Sequence, residues 1–161
     1  MRDIRPLKVA LALFVAGQVQ IPNQAAATTM DMAKGLAGNG VVRTTAYAQA
    51  RHAPNASDSP LQTGELNSAA ADWSRFPLGT KFKIAETNRT YVVDDYGSAL
   101  VGTDTIDLYM PTGRQMRQWG VRNVTIEIVE PGSFERSLAV LKARSGVPYV
   151  RKMVKRLEQK L

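Results

Sequence analysis

Short runs of β-prone residues separated by turn residues are the feature that most constrains the fold of this 161-residue chain. Apolar Val124, Ile126 and Ile128 alternate with polar neighbours, as in a half-buried strand. Because short strands and turns follow one another without regular helices between them, the chain predicts a small β-barrel, whose closure leaves no exposed strand edges. We expect a short helix at 113–119 and strands at 41–47, 81–85, 90–94, 105–110 and 123–129.

The first 27 residues have the pattern of a secretory signal. Arg2, Arg5 and Lys8 precede an apolar run at 9–17, and alanines at 25–27 suit cleavage. The apolar run is too short for a membrane-spanning helix, which needs about 20 residues. We therefore expect a signal peptide at 1–27, no transmembrane span, and a secreted or periplasmic protein. A short buried N-terminal helix is the alternative.

Three regions follow the expected signal peptide. Residues 28–40 are rich in Gly, Ala and Thr and predict a flexible lead-in, and the β-rich domain extends over 41–132. Within that domain, residues 48–67 carry turn residues without apolar periodicity, which predicts a long loop. The tail at 133–161 predicts helices. Beyond Pro148, apolar residues recur at the spacing of an amphipathic helix, at Val150, Met153, Val154, Leu157 and Leu161.

The net charge of +7 is carried by the two ends of the chain. The tail has eight Lys and Arg against two Glu, whereas residues 28–132 have ten basic and eleven acidic residues. Loss of the signal peptide leaves eighteen basic and thirteen acidic residues, a net charge of +5. The basic tail predicts either a solvated helix face above a buried apolar stripe or electrostatic contact with an anionic cell envelope. No motif for nucleic acid is present, and we expect no nucleic-acid partner.

Carboxylates are the best candidates for chemistry in this chain. It has no Cys and a single His, His52 in the expected long loop, which excludes thiolate zinc sites and Cys nucleophiles. Four aspartates (94, 95, 104 and 107) fall within fourteen residues, and Asp72 is a fifth. Asp is depleted in strands, yet Asp107 lies inside a predicted strand, which favours a functional role over ordinary turn chemistry. A Ca²⁺ site is a weaker alternative because the spacing lacks the EF-hand order. We expect no metal and no cofactor.

Several motifs that contain these aspartates resemble one family. They are AAD at 70–72, FPLGT at 76–80, VDDYGSALVG at 93–102 and IDLY at 106–109, with TAY at 45–47 and WGVRNV at 119–124. In this order they resemble the 3D domain, named for its three aspartates and also found at the C-terminal end of membrane-bound lytic transglycosylase A. The resemblance covers about 42–129. The chain departs from the family at Ser98, usually Gly, at Val101, usually Lys, and by one extra residue before Asp107.

The resemblance implies a mainly β fold, a six-stranded double-psi β-barrel, at the cell wall. It also implies a peptidoglycan lytic transglycosylase, a carbon–oxygen lyase that cleaves glycan strands to a 1,6-anhydro product. By position the three aspartates are Asp72, Asp95 and Asp107, and Asp107 matches the catalytic acid. We expect Asp107 to act as acid and base with Asp95 as its coupled partner, while Asp72 orients the site or contacts substrate. Substrate-binding residues are expected at Tyr47, Trp73, Tyr96, Gly97, Ser98 and Gly102.

The sequence is also compatible with a second class of function. The alternative to the enzyme is a non-catalytic module that binds cell-wall carbohydrate on the same barrel, and Val101 with the altered spacing before Asp107 favours it. Retention of all three aspartates favours the enzyme. In both cases the expected partner is the peptidoglycan glycan strand.

Overall fold

The computed structural model describes residues 40–49 and 54–161. The expected signal peptide, nearly all of the expected lead-in, and His52 lie outside the described residues. The strands are β1 (Gly40–Tyr47), β2 (Leu66–Ala70), β3 (Lys81–Ile84), β4 (Arg89–Asp95), β5 (Ile106–Tyr109) and β6 (Arg122–Glu130).

The six strands close into a barrel in the order β1-β5-β2-β4-β3-β6. Strands β1 and β5 pair in parallel, as do β2 and β4, and the other four pairings are antiparallel. This closed, mixed, six-stranded sheet confirms the predicted mainly β fold class and is consistent with a double-psi β-barrel.

Strand β2 is the element that the sequence does not reveal. Its residues Ser68, Ala69 and Ala70 are small and lack the β-branched or aromatic character of most strands. It nevertheless lies between β4 and β5, and residues 67–70 are all buried. Burial between two neighbours overrides weak propensity here, so the loop expected at 48–67 ends before Leu66, where β2 begins.

The core fills the barrel with every second residue of the strands. Phe82 on β3 stacks on Tyr91 of β4, with ring centroids 5.6 Å apart. The predicted apolar face of β6 is confirmed, since Val124 and Ile126 are buried. Alternation of this kind leaves the residues between the core positions facing outward, and these positions build the site described below.

Three α-helices complete the described part of the chain: α1 (Gly113–Trp119), α2 (Phe134–Lys142) and α3 (Pro148–Glu158). The apolar stripe expected on the last helix is confirmed at Val150, Met153, Val154 and Leu157, which are buried. Leu161 is a correction, because it lies beyond the end of the helix and is exposed. No helix among the described residues has the length and apolar character that crossing a membrane requires.

The tail at 133–161 packs on the barrel next to close contacts at Gly132. A Cβ at this glycine would clash with the backbone carbonyl oxygen of Pro77, so only glycine allows the approach. Five residues later, the buried Ser137 hydroxyl accepts a hydrogen bond from the amide of Leu78 at 2.8 Å. These contacts hold α2 against the barrel, and α3 packs on α2.

Candidate active site

A register shift between β2 and β4 creates the site. Ala69 pairs with Val93, whereas the next residue, Ala70, pairs with Asp95, so Asp94 is the extra residue of a β-bulge. Regular alternation would place Val93 and Asp95 on the same face. The bulge instead keeps Val93 in the core and brings Asp95 beside Ala70 on the outer face. Bulges often re-aim side chains in this way next to active sites.

An open cleft of about 440 Å³ lies over this face of the sheet. One wall is β1 and its extension, which contribute every second residue: Arg43, Thr45, Tyr47 and Gln49. The opposite wall is formed by residues 95–100, which include a short 3₁₀ helix at Ser98–Leu100. The floor includes Asp107, Ala70, Thr103 and Thr105.

Asp107 and Asp95 flank Ala70 in one row across the sheet. Ala70 pairs with Asp107 on β5 and with Asp95 on β4, and Asp107 pairs with Thr45 on β1. Two strand spacings separate the Cα atoms of the two aspartates, about 10 Å. Ala70 presents only a methyl group between them, so both carboxyl groups face the same cleft.

The Asp107 carboxyl group is half-buried and accepts one strong hydrogen bond. The Thr45 hydroxyl donates to its Oδ1 at 2.6 Å. Burial raises the pKa of Asp107 above its ordinary value, the Thr45 bond opposes that rise in part, and the negative charge of Asp95 raises it further. A carboxyl group in this environment retains its proton to higher pH than a solvated one, as a general acid must.

Asp95 is held by three donors. The Tyr47 hydroxyl donates to Oδ2 at 3.1 Å, and the amides of Ala56 and Tyr96 donate to Oδ1 at 3.1 and 2.9 Å. Burial raises the pKa of Asp95, and these hydrogen bonds together with the positive charge of Arg144 oppose the rise. Burial and Asp95 also raise the pKa of Tyr47, so Tyr47 remains a neutral donor.

Asp94 is buried behind the cleft and is only partly satisfied. Its Oδ2 accepts from the Ser68 hydroxyl at 2.6 Å and from the Asn55 amide at 2.9 Å, while its Oδ1 has no partner within the described residues. Burial raises the pKa of Asp94 to about 6. A carboxyl group with an unpaired buried oxygen favours its protonated form.

Asp72 lies in a different environment from the other two family aspartates. It is fully buried, its Oδ1 accepts from the amide and the hydroxyl of Ser74, and its Oδ2 accepts from the amide of Gly102 at 2.6 Å. The Arg156 guanidinium of α3 also contacts Oδ2, at 3.0 Å. Asp72 does not line the cleft, so this position is compatible with the expected orienting role and not with substrate contact.

Of the expected substrate-binding residues, four line the cleft: Tyr47, Tyr96, Gly97 and Ser98. Trp73 is a correction, because it is fully buried and its indole N–H donates to the carbonyl of Asp95 at 2.8 Å. Its ring packs edge-on against Tyr96, with centroids 4.9 Å apart, so Trp73 supports the site from the core. Gly102 also lies outside the cleft lining, where its φ of +91° turns the loop towards Asp72.

Three residues that contact or hold the aspartates are not predicted as site residues from the sequence. Thr45 was visible in TAY at 45–47, but only the parallel pairing of β1 with β5 shows that it bonds Asp107. Asn55 and Arg144 carry no sequence signal, because they reach the aspartates from a loop and from the tail. No cluster of three or more His, Cys, Asp or Glu with metal-binding geometry occurs in the part of the chain that the structure describes.

Comparison with protein-family models finds a match for the part of the chain that contains these aspartates. No curated protein matches the chain. The model of the 3D domain family matches residues 67–130, which span β2 to β6 and contain Asp72, Asp95 and Asp107. Residues 67–130 of this chain are therefore a 3D domain.

Proposed function

We propose that this protein cleaves peptidoglycan glycan strands as a lytic transglycosylase-like enzyme, with Asp107 as the acid and base. The observation that carries the proposal is that Asp107 and Asp95 lie on either side of Ala70 and both face an open cleft. The family membership of residues 67–130 supports a role at the cell wall. A secreted or periplasmic location, where this substrate lies, rests on the signal peptide expected at 1–27.

The proposed reaction begins with the protonated carboxyl group of Asp107, which donates its proton to the glycosidic oxygen. The bond from the sugar C1 to that oxygen breaks, and C1 gains oxocarbenium character. The Asp107 carboxylate then takes the proton of the 6-hydroxyl group, whose oxygen bonds to C1 and closes the 1,6-anhydro ring. No water is consumed, and Asp107 regains its proton.

Asp95 has two effects on this sequence. In its ionised form it raises the pKa of Asp107, which keeps the acid protonated before the reaction. The same negative charge also favours the positive charge that develops on the sugar. The donors on Asp95 (Tyr47, Ala56 and Tyr96) hold the carboxylate in place while it acts.

Arg43 supports an acidic glycan as the substrate. It is the one Lys or Arg among the described residues that line the cleft, and its guanidinium donates a long hydrogen bond of 3.3 Å to the Thr105 hydroxyl. It precedes Thr45 by two residues on the same face of β1, about 7 Å along the strand. Asp95 and Asp107 repel a carboxylate on the glycan or its peptide, and binding of that carboxylate to Arg43 would offset the repulsion.

The test is digestion of purified sacculi by the protein, with products identified by mass spectrometry. Wild-type protein is expected to release 1,6-anhydro-muropeptides, and Asp107→Asn is expected to lower the rate by about 10²-fold or more. Asp104→Asn is the matched control, because Asp104 is exposed, pairs with Arg75 and lies outside the cleft lining. Release at the native rate by Asp107→Asn would contradict the assignment.

A non-catalytic carbohydrate-binding module is the second candidate. The side chain at position 101, where the family usually has Lys, is Val packed against the core, so it brings no positive charge into the cleft. The same digestion separates the two functions. Sacculi that retain the wild-type protein without new products would support the module.

A further inference from the structure

The helical tail lies outside the matched family region, yet two of its arginines reach the family aspartates. Arg156 of α3 contacts Asp72 directly at 3.0 Å. Arg144, which follows α2, reaches Asp95 through an intermediate loop at residues 54–60. Part of the positive charge of the tail is therefore directed at the barrel site.

The 54–60 loop is organised around the buried side chain of Asn55. The Asn55 Oδ1 accepts from the amide and the hydroxyl of Ser57 and from the amide of Ser59, at 2.8–3.0 Å. Its side-chain amide donates to Asp94. This arrangement places the next residue, Ala56, so that its amide donates to Asp95 Oδ1 at 3.1 Å.

Arg144 binds the same loop from its outer side. Its guanidinium donates to the carbonyl oxygen of Ala56 and, at 3.0 Å, to Asp58 Oδ2, and it lies 3.5 Å from the Tyr96 hydroxyl. Asp58 has a φ of +60°, a conformation that Asp tolerates better than most residues. One planar fork therefore fixes both the backbone and a side chain of the loop.

We propose that Arg144 is a positioning residue for Asp95. It fixes the 54–60 loop through Ala56 and Asp58, and the Ala56 amide of that loop donates to the Asp95 carboxylate. The inference rests on the proposed function only in the use made of Asp95, because the contacts themselves are independent of any reaction. It makes the tail a working part of the active site and gives one of its basic residues a role other than contact with the envelope.

The charge of Arg144 has a second effect on Asp95. The titratable and charged groups around Asp95 are Tyr47 on β1, Asp107 on β5, Asp94 and Tyr96 on either side of it in sequence, and Arg144 from the tail. Arg43 lines the same cleft farther along β1. Arg144 lowers the pKa of Asp95 against the effect of burial. Loss of Arg144 is thus expected to raise the pKa of Asp95 and to loosen the Ala56 amide.

The test compares Arg144→Met with Arg136→Met, a control that removes the same charge from an exposed position on α2. Carboxyl-carbon NMR titration follows Asp95, and amide hydrogen exchange follows Ala56. In Arg144→Met the Ala56 amide is expected to exchange faster by about tenfold or more, as for loss of a charge-assisted hydrogen bond. The pKa of Asp95 is expected to rise, and Arg136→Met should change neither quantity.

Arg144→Lys separates the positioning effect of Arg144 from the effect of its charge. It also replaces Arg144→Met in the test if that variant fails to fold. Lysine keeps the charge but cannot bond Ala56 and Asp58 together, so Ala56 exchange should rise while the pKa of Asp95 stays near the wild-type value. If Arg144→Met leaves both quantities unchanged, or if Arg136→Met changes them equally, the proposal is wrong. Neither measurement needs catalysis, so a wild-type protein that fails to digest sacculi would overturn the proposed function alone.

Where digestion is observed, the pH–rate profile adds a third readout. The acidic limb reports ionisation of Asp95 in the proposed mechanism, so Arg144→Met should shift that limb to higher pH. A lower rate with an unchanged profile would indicate general damage and would count against the positioning role.

Discussion

The three aspartates of the domain occupy two contrasting regions. Asp95 and Asp107 lie on the outer face of the sheet in an open cleft, and burial raises the pKa of both. Asp72 is enclosed at the junction of the barrel and α3, with four donors that include a guanidinium. The same residue type thus serves as a candidate acid in one region and as a structural anion in the other.

The difference shows that solvent access and partners decide what a carboxyl group does. A cleft carboxyl group with one hydroxyl partner can gain and lose a proton during a reaction. A fully buried carboxylate that accepts from amides and Arg156 is destabilised when one of its partners is removed. Substitutions in the two regions should therefore have different consequences.

The largest effect on stability is expected from Asp72→Asn. The change removes a buried negative charge. It also replaces one of the two accepting oxygens with an NH₂ group, which cannot accept from both the Gly102 amide and the Arg156 guanidinium as Oδ2 does. The Arg156 side chain is 44% exposed, so the cost comes mainly from the lost hydrogen bonds to the buried carboxylate, about 3 kcal/mol in the free energy of unfolding. Chemical denaturation measures it, and a loss below about 1 kcal/mol would place Asp72 with the surface aspartates.

A smaller and pH-dependent effect is expected from Asp94→Asn. The pKa of Asp94 is raised to about 6 in the folded protein, so the folded state binds this proton more tightly than the unfolded state. Stability from this group is therefore present at low pH and is lost as pH rises from about 4 to about 6. Across that window the stability of wild-type protein relative to Asp94→Asn should fall by about 2 kcal/mol. A difference that is constant with pH would contradict this account.

Binding should be weaker, without loss of stability, in Arg43→Met. Arg43 is exposed and lines the cleft, so its loss removes a partner for a substrate carboxylate and leaves the core unchanged. The affinity for sacculi is expected to fall by about tenfold, the value of one hydrogen bond to a charged group. A pull-down with Arg75→Met as the charge-matched control measures it. An equal loss in the control would indicate nonspecific attraction.

The smallest effect is expected from Asp104→Asn. Asp104 pairs with Arg75, and both side chains are substantially exposed, at 65% and 42%. Exposed pairs contribute less than about 1 kcal/mol. Denaturation and digestion should both match wild-type protein, and a clear loss of activity would extend the site beyond the cleft described above.

The fold and the identity of the aspartates could be predicted to a large extent. The alternation at 123–129, the strand around Asp107 and the apolar stripe after Pro148 all have the periodicity that the structure confirms. These features are local, because hydrophobic spacing along a strand or helix depends on residues that are near in sequence.

The geometry of the site depends on contacts between distant segments, which periodicity does not encode. The bulge at Asp94 reverses the face of Asp95, and nothing in VVDD at 92–95 marks the shift. Trp73 is expected from the sequence to bind substrate, but its indole N–H donates to the Asp95 carbonyl inside the core. Arg144 is 88 residues from Ala56, so only the packed tail reveals the contact.

The central claim is that Asp107 performs the chemistry while Asp72 holds the structure. The most direct measurement compares Asp107→Asn and Asp72→Asn in one set of experiments, with the rate of 1,6-anhydro-muropeptide release and the free energy of unfolding as readouts. Asp107→Asn is expected to lose about 10²-fold or more in rate while retaining native stability. Asp72→Asn is expected to lose about 3 kcal/mol of stability. A fully folded Asp107→Asn protein that releases these products at the wild-type rate would contradict the account.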